Sequence, residues 1–170
     1  TFNNSMSNIE LSLTNAQSSI YRISGLLKNV NSSVSSASSS EVNSELGNIS
    51  MEINTLGDNI NSTVSYLEEI NNASPNADVS NLIASLKNIQ SSLNNEKTKI
   101  NDIQEKYKSA NEIEKNTLDS ADDEFTNMGV QITNAVKEYN EKAKSSLNQI
   151  SGNLINVSND ASSLIESAQG

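Results

Sequence analysis

From Phe2 to Val34 the apolar residues recur at alternating steps of four and three: Phe2, Met6, Ile9, Leu13, Ala16, Ile20, Ile23, Leu27, Val30 and Val34. That spacing puts one narrow stripe on one face of a long helix, and the stripe must be covered by other helices. The rhythm returns three times. A second stripe reads Val42, Leu46, Ile49, Ile53, Leu56, Ile60, Val64, Leu67 and Ile70, with one extra step of four between Ile60 and Val64. A third carries Val79, Leu82, Leu86, Ile89, Leu93, Ile100, Ile103, Tyr107 and Ala110, and its position near Glu96 is polar. The fourth runs Leu118, Ala121, Phe125, Met128, Ile132, Ala135, Tyr139, Ala143, Leu147, Ile150, Leu154, Val157, Ala161, Leu164 and Ala168. No segment alternates with period two, so no strand is expected.

The stripes are separated by breakers. Ser38, Ser39 and Ser40 precede Glu41 and Val42, a Ser cap followed by an acid, which marks a helix start. The single proline, Pro75, interrupts the chain between Asn71 and Asp78, and Asp78 is the expected cap of the third helix. Register is lost around Glu112–Asn116, where Ile113 falls off the stripe and Asn116 reads as the next cap. The pattern therefore predicts an all-α fold: an elongated antiparallel bundle of about four long helices with coiled-coil-like seams. It forms a single domain over 1–170, with helices over roughly 2–37, 41–71, 78–111 and 117–169. Gly152 is the expected place for the last helix to bend or break; Gly47 and Gly57 each cost about 1 kcal/mol unless a close helix crossing uses the space, and Gly25, Gly129 and Gly152 read as small residues at crossings ahead of hinges. A seam already in full stride at Phe2 is what a segment cut from a longer chain would show, with flanking membrane segments lying elsewhere.

Composition narrows the chemistry. Only 34% of the 170 residues are hydrophobic, which suits a thin bundle that buries one stripe per helix. Asn and Ser dominate the remaining faces, and both are mediocre helix formers whose side chains compete for backbone hydrogen bonds, so the helices must rely on packing. The formal net charge is -10, with one Arg among 11 basic residues scattered singly. This disfavours nucleic acid and anionic lipid headgroups as partners. The absence of Cys and His removes thiol chemistry and the commonest general base and metal ligand.

No catalytic, cofactor-binding or metal-ligating residue is assigned, and no cofactor is expected. Asp122, Asp123 and Glu124 are the densest carboxylate group, but adjacent helical residues point apart and no glycine-containing calcium loop accompanies them. Glu68 and Glu69 have no neighbouring base or nucleophile. Asn61-Ser62-Thr63 matches the glycosylation triplet, a chance event in so Asn- and Ser-rich a chain. Tyr107 and Tyr139 are expected to pack in the core with their hydroxyls at the rim, whereas Tyr21, beside Arg22, is a candidate partner contact.

Leu13 to Ser36 (LTNAQSSIYRISGLLKNVNSSVSS) and Asp123 to Ile165 (DEFTNMGVQITNAVKEYNEKAKSSLNQISGNLINVSNDASSLI) resemble the extracellular region of the phage infection protein family. The resemblance implies a large helical external segment of a Gram-positive, polytopic membrane protein, some of whose relatives serve as bacteriophage receptors. The expected function is thus a non-enzymatic helical rod on the extracellular face of the cell membrane. It would be a structural and interaction module whose partner is a protein at the cell surface, such as a phage tail protein. It would meet the membrane only through flanking segments, and would bind no nucleic acid. A ligand-sensing helical ectodomain is the alternative. Pore formation would need a hydrophobic segment able to enter lipid, and catalysis a constellation of base, nucleophile or metal ligands.

Overall fold

The computed structural model describes residues 2–169, and their side chains apart from those of residues 2–5, 154–158 and 169. All regular structure among the described residues is helical: α1 (Phe2–Ser33), α2 (Ser39–Ala73), α3 (Ala77–Ala110), α4 (Lys115–Glu138), a π-helical turn (Tyr139–Ala143) and α5 (Lys144–Gln169). The first three helices have 32, 35 and 34 residues, which at 1.5 Å per residue makes each about 50 Å long.

Each stripe is the buried face of its helix. On α1, Ile9 through Val30 are buried and Met6 and Val34 half-buried. Every stripe residue of α2 from Val42 to Ile70 is buried. Helix α1 packs on α2 and α4, and α3 packs on the same two, so one continuous core runs between them. Besides Tyr139, two stripe positions carry polar residues. Thr63 is buried beside Val64 and keeps the step of three after Ile60 that Val64 breaks, its hydroxyl donating to the Asn59 carbonyl at 2.8 Å. Glu96 completes the unbroken 3-4 rhythm of α3 and is 0% exposed.

The boundaries correct several expectations. Helix α1 ends at Ser33 rather than at 37, because Val34–Ser36 turns and Ala37 N–H reaches back to the Ser33 carbonyl at 2.7 Å. Ser38, the first of the three serines, caps α2, accepting from Glu41 N–H at 3.2 Å, so the helix runs Ser39–Ala73 rather than 41–71. The cap of α3 is Asn76, not Asp78: its Oδ1 accepts from Asp78 and Val79 N–H, and Asp78 lies in the first turn. Asn111 closes α3 in the left-handed conformation at φ 54, which suits Asn. Helix α4 begins at Lys115 after Glu114, with no side-chain cap, so Asn116 is inside the helix.

The last stripe departs most. Helix α5 passes through Gly152 without interruption, and the irregularity lies instead at Tyr139–Ala143, where Lys144 N–H donates to the Tyr139 carbonyl five residues back. The stripe explains the placement: Ala135, Tyr139, Ala143 and Leu147 are separated by three successive steps of four, one residue more than a 3-4 repeat accommodates. A wider turn absorbs that residue and keeps Leu147 and Ile150 facing the core. Ala110, the last residue of α3, is exposed, and so are Ala161, Leu164 and Ala168, because α5 there runs past its neighbours. The expectations for Phe2, Leu154 and Val157 fall outside the described side chains.

The glycines divide. A Cβ at position 129 would lie 3.0 Å from Ile20 Cγ2, so Gly129 does serve the close approach of α4 to α1, and one at position 57 would make ordinary contact with Leu93. At Gly25, Gly47 and Gly152 a Cβ would meet nothing within 4 Å, so no crossing uses the space.

This packing can be tested at two kinds of position. Ile53→Asp places an unpaired charge in the core and is expected to cost several kcal/mol, whereas Asn54→Asp, on the exposed side, should stay within about 0.5 kcal/mol. Equal shifts in thermal unfolding would misplace the seam. Gly47→Ala is expected to stabilise by about 0.5–1 kcal/mol through helix propensity, and Gly129→Ala to gain less or lose, since Ile20 must give way. A larger gain at 129 than at 47 would contradict the packing described.

Candidate functional site

Polar side chains enter the core at few places, and each has a different solution. Near the middle of α3, Glu96 projects from the stripe into the α3–α4 interface, fully buried and with its Oε2 receiving no hydrogen bond. Lys99, one turn on, brings its Nζ to 3.1 Å from Glu96 Oε1 and to 2.6 Å from Glu124 Oε1 on α4. Two carboxyl groups thus share one ammonium. Burial, and the hydrogen bond a protonated Glu96 can give to Glu124, push the Glu96 carboxyl up to about 7. Glu124 is held below the usual carboxylate range by Glu96 and then Lys99, and Lys99 is raised by Glu124 and Glu96. Beyond Lys99 a cleft of about 640 Å³ opens toward the turn, lined in part by Lys99, Asp102, Ile103, Lys106, Ile113 and Glu114.

A second cluster sits at the π turn. Tyr139 is 1% exposed, and its hydroxyl crosses to α1 to donate to Glu10 Oε1 at 3.0 Å. Lys144 Nζ meets the same oxygen at 3.0 Å. Lys144 and then Tyr139 hold the Glu10 carboxyl below its ordinary value, while burial and the charge of Glu10 raise the Tyr139 phenol. On the α3 side, Ser85 donates to Glu138 at 3.0 Å and Ser146 donates to Asp78 at 2.9 Å. The widened turn is therefore tied to α1 on one side and α3 on the other. Chemically this cluster is a set of struts, with no nucleophile facing open space.

The carboxylates singled out in the sequence do not converge. Asp122 accepts from Ser24 of α1 at 3.0 Å, Asp123 is exposed, and Glu124 turns to Lys99. Glu68 pairs with Lys87 at 2.8 Å. No three potential metal-ligating side chains gather among the described residues. Tyr21 is 75% exposed, and with Ile20, Gly129 and exposed Val130 it lines a shallow groove between α1 and α4. Arg22 turns the other way, its Nε donating to Glu52 of α2 at 3.0 Å. Tyr107 is buried as expected. The sequence reading missed the Glu96–Lys99–Glu124 group, although the signal was present: a carboxylate at a stripe position with Lys three residues later.

No helix among the described residues is long and apolar enough to cross a membrane. No protein-family model, curated protein or solved structure matches the chain.

The Tyr139 strut gives a direct test. Tyr139→Phe keeps the ring and removes the donor, and is expected to destabilise by about 1 kcal/mol, since Glu10 is partly solvated and retains Lys144. Because the folded-state value of Glu10 is depressed, its contribution is complete above the ordinary carboxylate range and disappears as the pH falls through that range. The difference between wild type and Tyr139→Phe in thermal unfolding should therefore shrink between pH 5 and pH 3. A difference that grows on acidification would show that Glu10 is not the acceptor.

Proposed function

We propose that the chain is an antiparallel bundle in which α1, α2, α3 and the α4–α5 unit are the four members. It serves as a non-enzymatic structural and interaction module, the helical rod of a bacterial membrane protein on the extracellular face. The antiparallel reading is supported by cross-helix contacts whose numbers rise on one helix as they fall on the other: Asn31 with Asp119 and Glu10 with Tyr139 between α1 and α4, and Ser50 with Gln104 and Asn61 with Gln90 between α2 and α3. In that arrangement the Pro75 turn lies at the end where α1 begins, as the Ser146–Asp78 bond suggests.

The observation that carries the functional reading is at the opposite end. Val34 and Ser35 of the first turn and Ile113 and Lys115 of the third line one shallow depression of about 320 Å³ with Asn31 and Leu118. Two turns from distant parts of the chain thus share a surface, Ser-rich on one side and charged on the other. The end of a bundle is where turns tolerate change and where a partner approaching from outside first makes contact. The partner is a protein at the cell surface, and the texture shared with the phage infection protein family makes a phage tail protein the one to test. The alternative, a ligand-sensing ectodomain, draws support from the cleft beyond Lys99, which is large enough for a small molecule.

Replacement of Ser35–Ser40 or of Glu112–Lys115 in the full-length protein is expected to reduce partner binding or phage adsorption while thermal unfolding of the isolated chain is retained. Adsorption that survives both replacements and is lost on changing exposed residues around Pro75 would reverse the orientation.

A further inference from the structure

Glu96 is the one carboxylate placed on an apolar stripe, and its surroundings are unlike those of the other acids. It is 0% exposed, its Oε2 receives no hydrogen bond, and its facing neighbour across the interface is another carboxylate, Glu124. Lys99 is the single cation within reach of both. Of the other ionisable groups along this level, Glu52 of α2 is held through Oε1 by Arg22 of α1 while its Oε2 is buried without a partner, Asp122 of α4 accepts from Ser24 of α1, and Asp58 of α2 and Asp123 of α4 are exposed. A hydrophobic seam tolerates a neutral carboxylic acid that donates to an ionised partner far better than two carboxylates sharing one ammonium. The cleft that starts at Lys99 means that the seam has fewer neighbours to hold it closed on that side.

We propose that Glu96 is a proton-operated latch on the α3–α4 seam: with its proton on, the two helices close beside the cleft, and with its proton off, this stretch of the seam loosens while the rest of the bundle stays packed. The device lies near the middle of α3 (Ala77–Ala110), and it stands independently of what binds at the Glu112–Asn116 turn. The direction is fixed by linkage. A carboxyl that keeps its proton to about 7 when folded, against an ordinary value near 4.5, stabilises fully below 4.5. That contribution is lost as pH rises from there to about 7, and stays lost above.

The chain has no cysteine, so a single introduced thiol reports local opening. Ala121 and Ala135 are both stripe residues of α4 and both 1% exposed, the first close to Glu124 and the second toward the π turn. Ala121→Cys and Ala135→Cys are labelled with a thiol reagent at pH 6, 7 and 8, each rate divided by that of the same variant unfolded in denaturant at that pH. Protection of the thiol at position 121 is expected to fall about tenfold between pH 6 and pH 8, the factor that linkage gives for values of 4.5 and 7, with little change at position 135. Adding Glu96→Gln, which keeps the shape and cannot ionise, should make protection at position 121 independent of pH. Parallel loss at both positions, no pH dependence at 121, or the same dependence with Glu96→Gln would each overturn the latch. Should the thiol variants not fold, thermal unfolding of the native chain and of Glu96→Gln decides. A midpoint that declines from pH 5 to pH 7.5 only in the native chain supports the latch, and equal declines refute it.

Discussion

Asn and Ser are the commonest residues on the exposed faces of these helices, and a helix of that composition would not persist alone in water, since its side chains compete for the backbone. What keeps each helix is the burial of its one apolar stripe. Every other feature is subordinate to keeping those stripes in register along helices about 50 Å long. A single residue too many would rotate all later side chains by about 100° and turn the stripe outward. The π turn at Tyr139–Ala143 is the answer to that constraint, and the struts from Glu10, Asp78 and Ser85 fix the widened turn where it is needed. The hydroxyls elsewhere are neutralised locally: Thr14, Thr55, Thr63, Thr98 and Thr126 each donate to the carbonyl four residues back, which removes them as competitors for other backbone groups.

Three polar residues nonetheless occupy stripe positions, and they rank by how completely they are satisfied. Thr63 is served by its own helix. Tyr139 sends its hydroxyl across the interface to a partly solvated carboxylate that also has Lys144, so burial of the ring is separated from solvation of the charge. Glu96 has neither solution. It must share Lys99 with Glu124, and its neutrality is the remaining way of lowering the cost of burial. The carboxylates respond differently to pH: Glu10 in one cluster and Glu124 in the other are depressed and favour the fold above the ordinary carboxylate range, whereas Glu96, beside Glu124, is raised and favours it at lower pH.

The stripes were legible in the sequence because a 3-4 rhythm repeated many times has no other physical meaning for a long polar chain, and α2 adheres to its stripe at every position. The caps were less legible. Asn76 and Asp78 are both good caps, and the choice went to Asn76 because its own N–H is satisfied by Asn71, which orients the side chain toward the first turn. Asn116 lost to Glu114, which takes the extended conformation of a cap without any side-chain hydrogen bond, so cap chemistry could not have located this start. The π turn is encoded as three steps of four, which on their own look like ordinary scatter. Gly152 was overvalued, since glycine lowers the cost of a bend without supplying a force to make one. For the candidate site the limit was different in kind. A carboxylate at a stripe position signals an anomaly, but whether it finds solvent, a donor or a second carboxylate depends on which helix faces it, and that is a property of the assembled interface.

The end of the fourth stripe makes the same point about interfaces. Leu147 and Ile150 are buried, while Leu164 is 72% and Ile165 58% exposed, although the stripe keeps its spacing from 147 to 168. Identical chemistry is core at one level and surface at another, because α1 and α3 cover α5 only near its start. Periodicity therefore reports which face of a helix can be buried, and only the lengths and offsets of the neighbouring helices decide how far along that face burial extends. In a bundle whose other faces are Asn and Ser, the exposed Leu164 and Ile165 and the loosely covered stretch beside Lys99 are the two places where that offset leaves the seam incomplete. Of these, the stretch beside Lys99 alone carries an ionisable group on the stripe itself, so a change of solution conditions can alter the packing there without altering a residue.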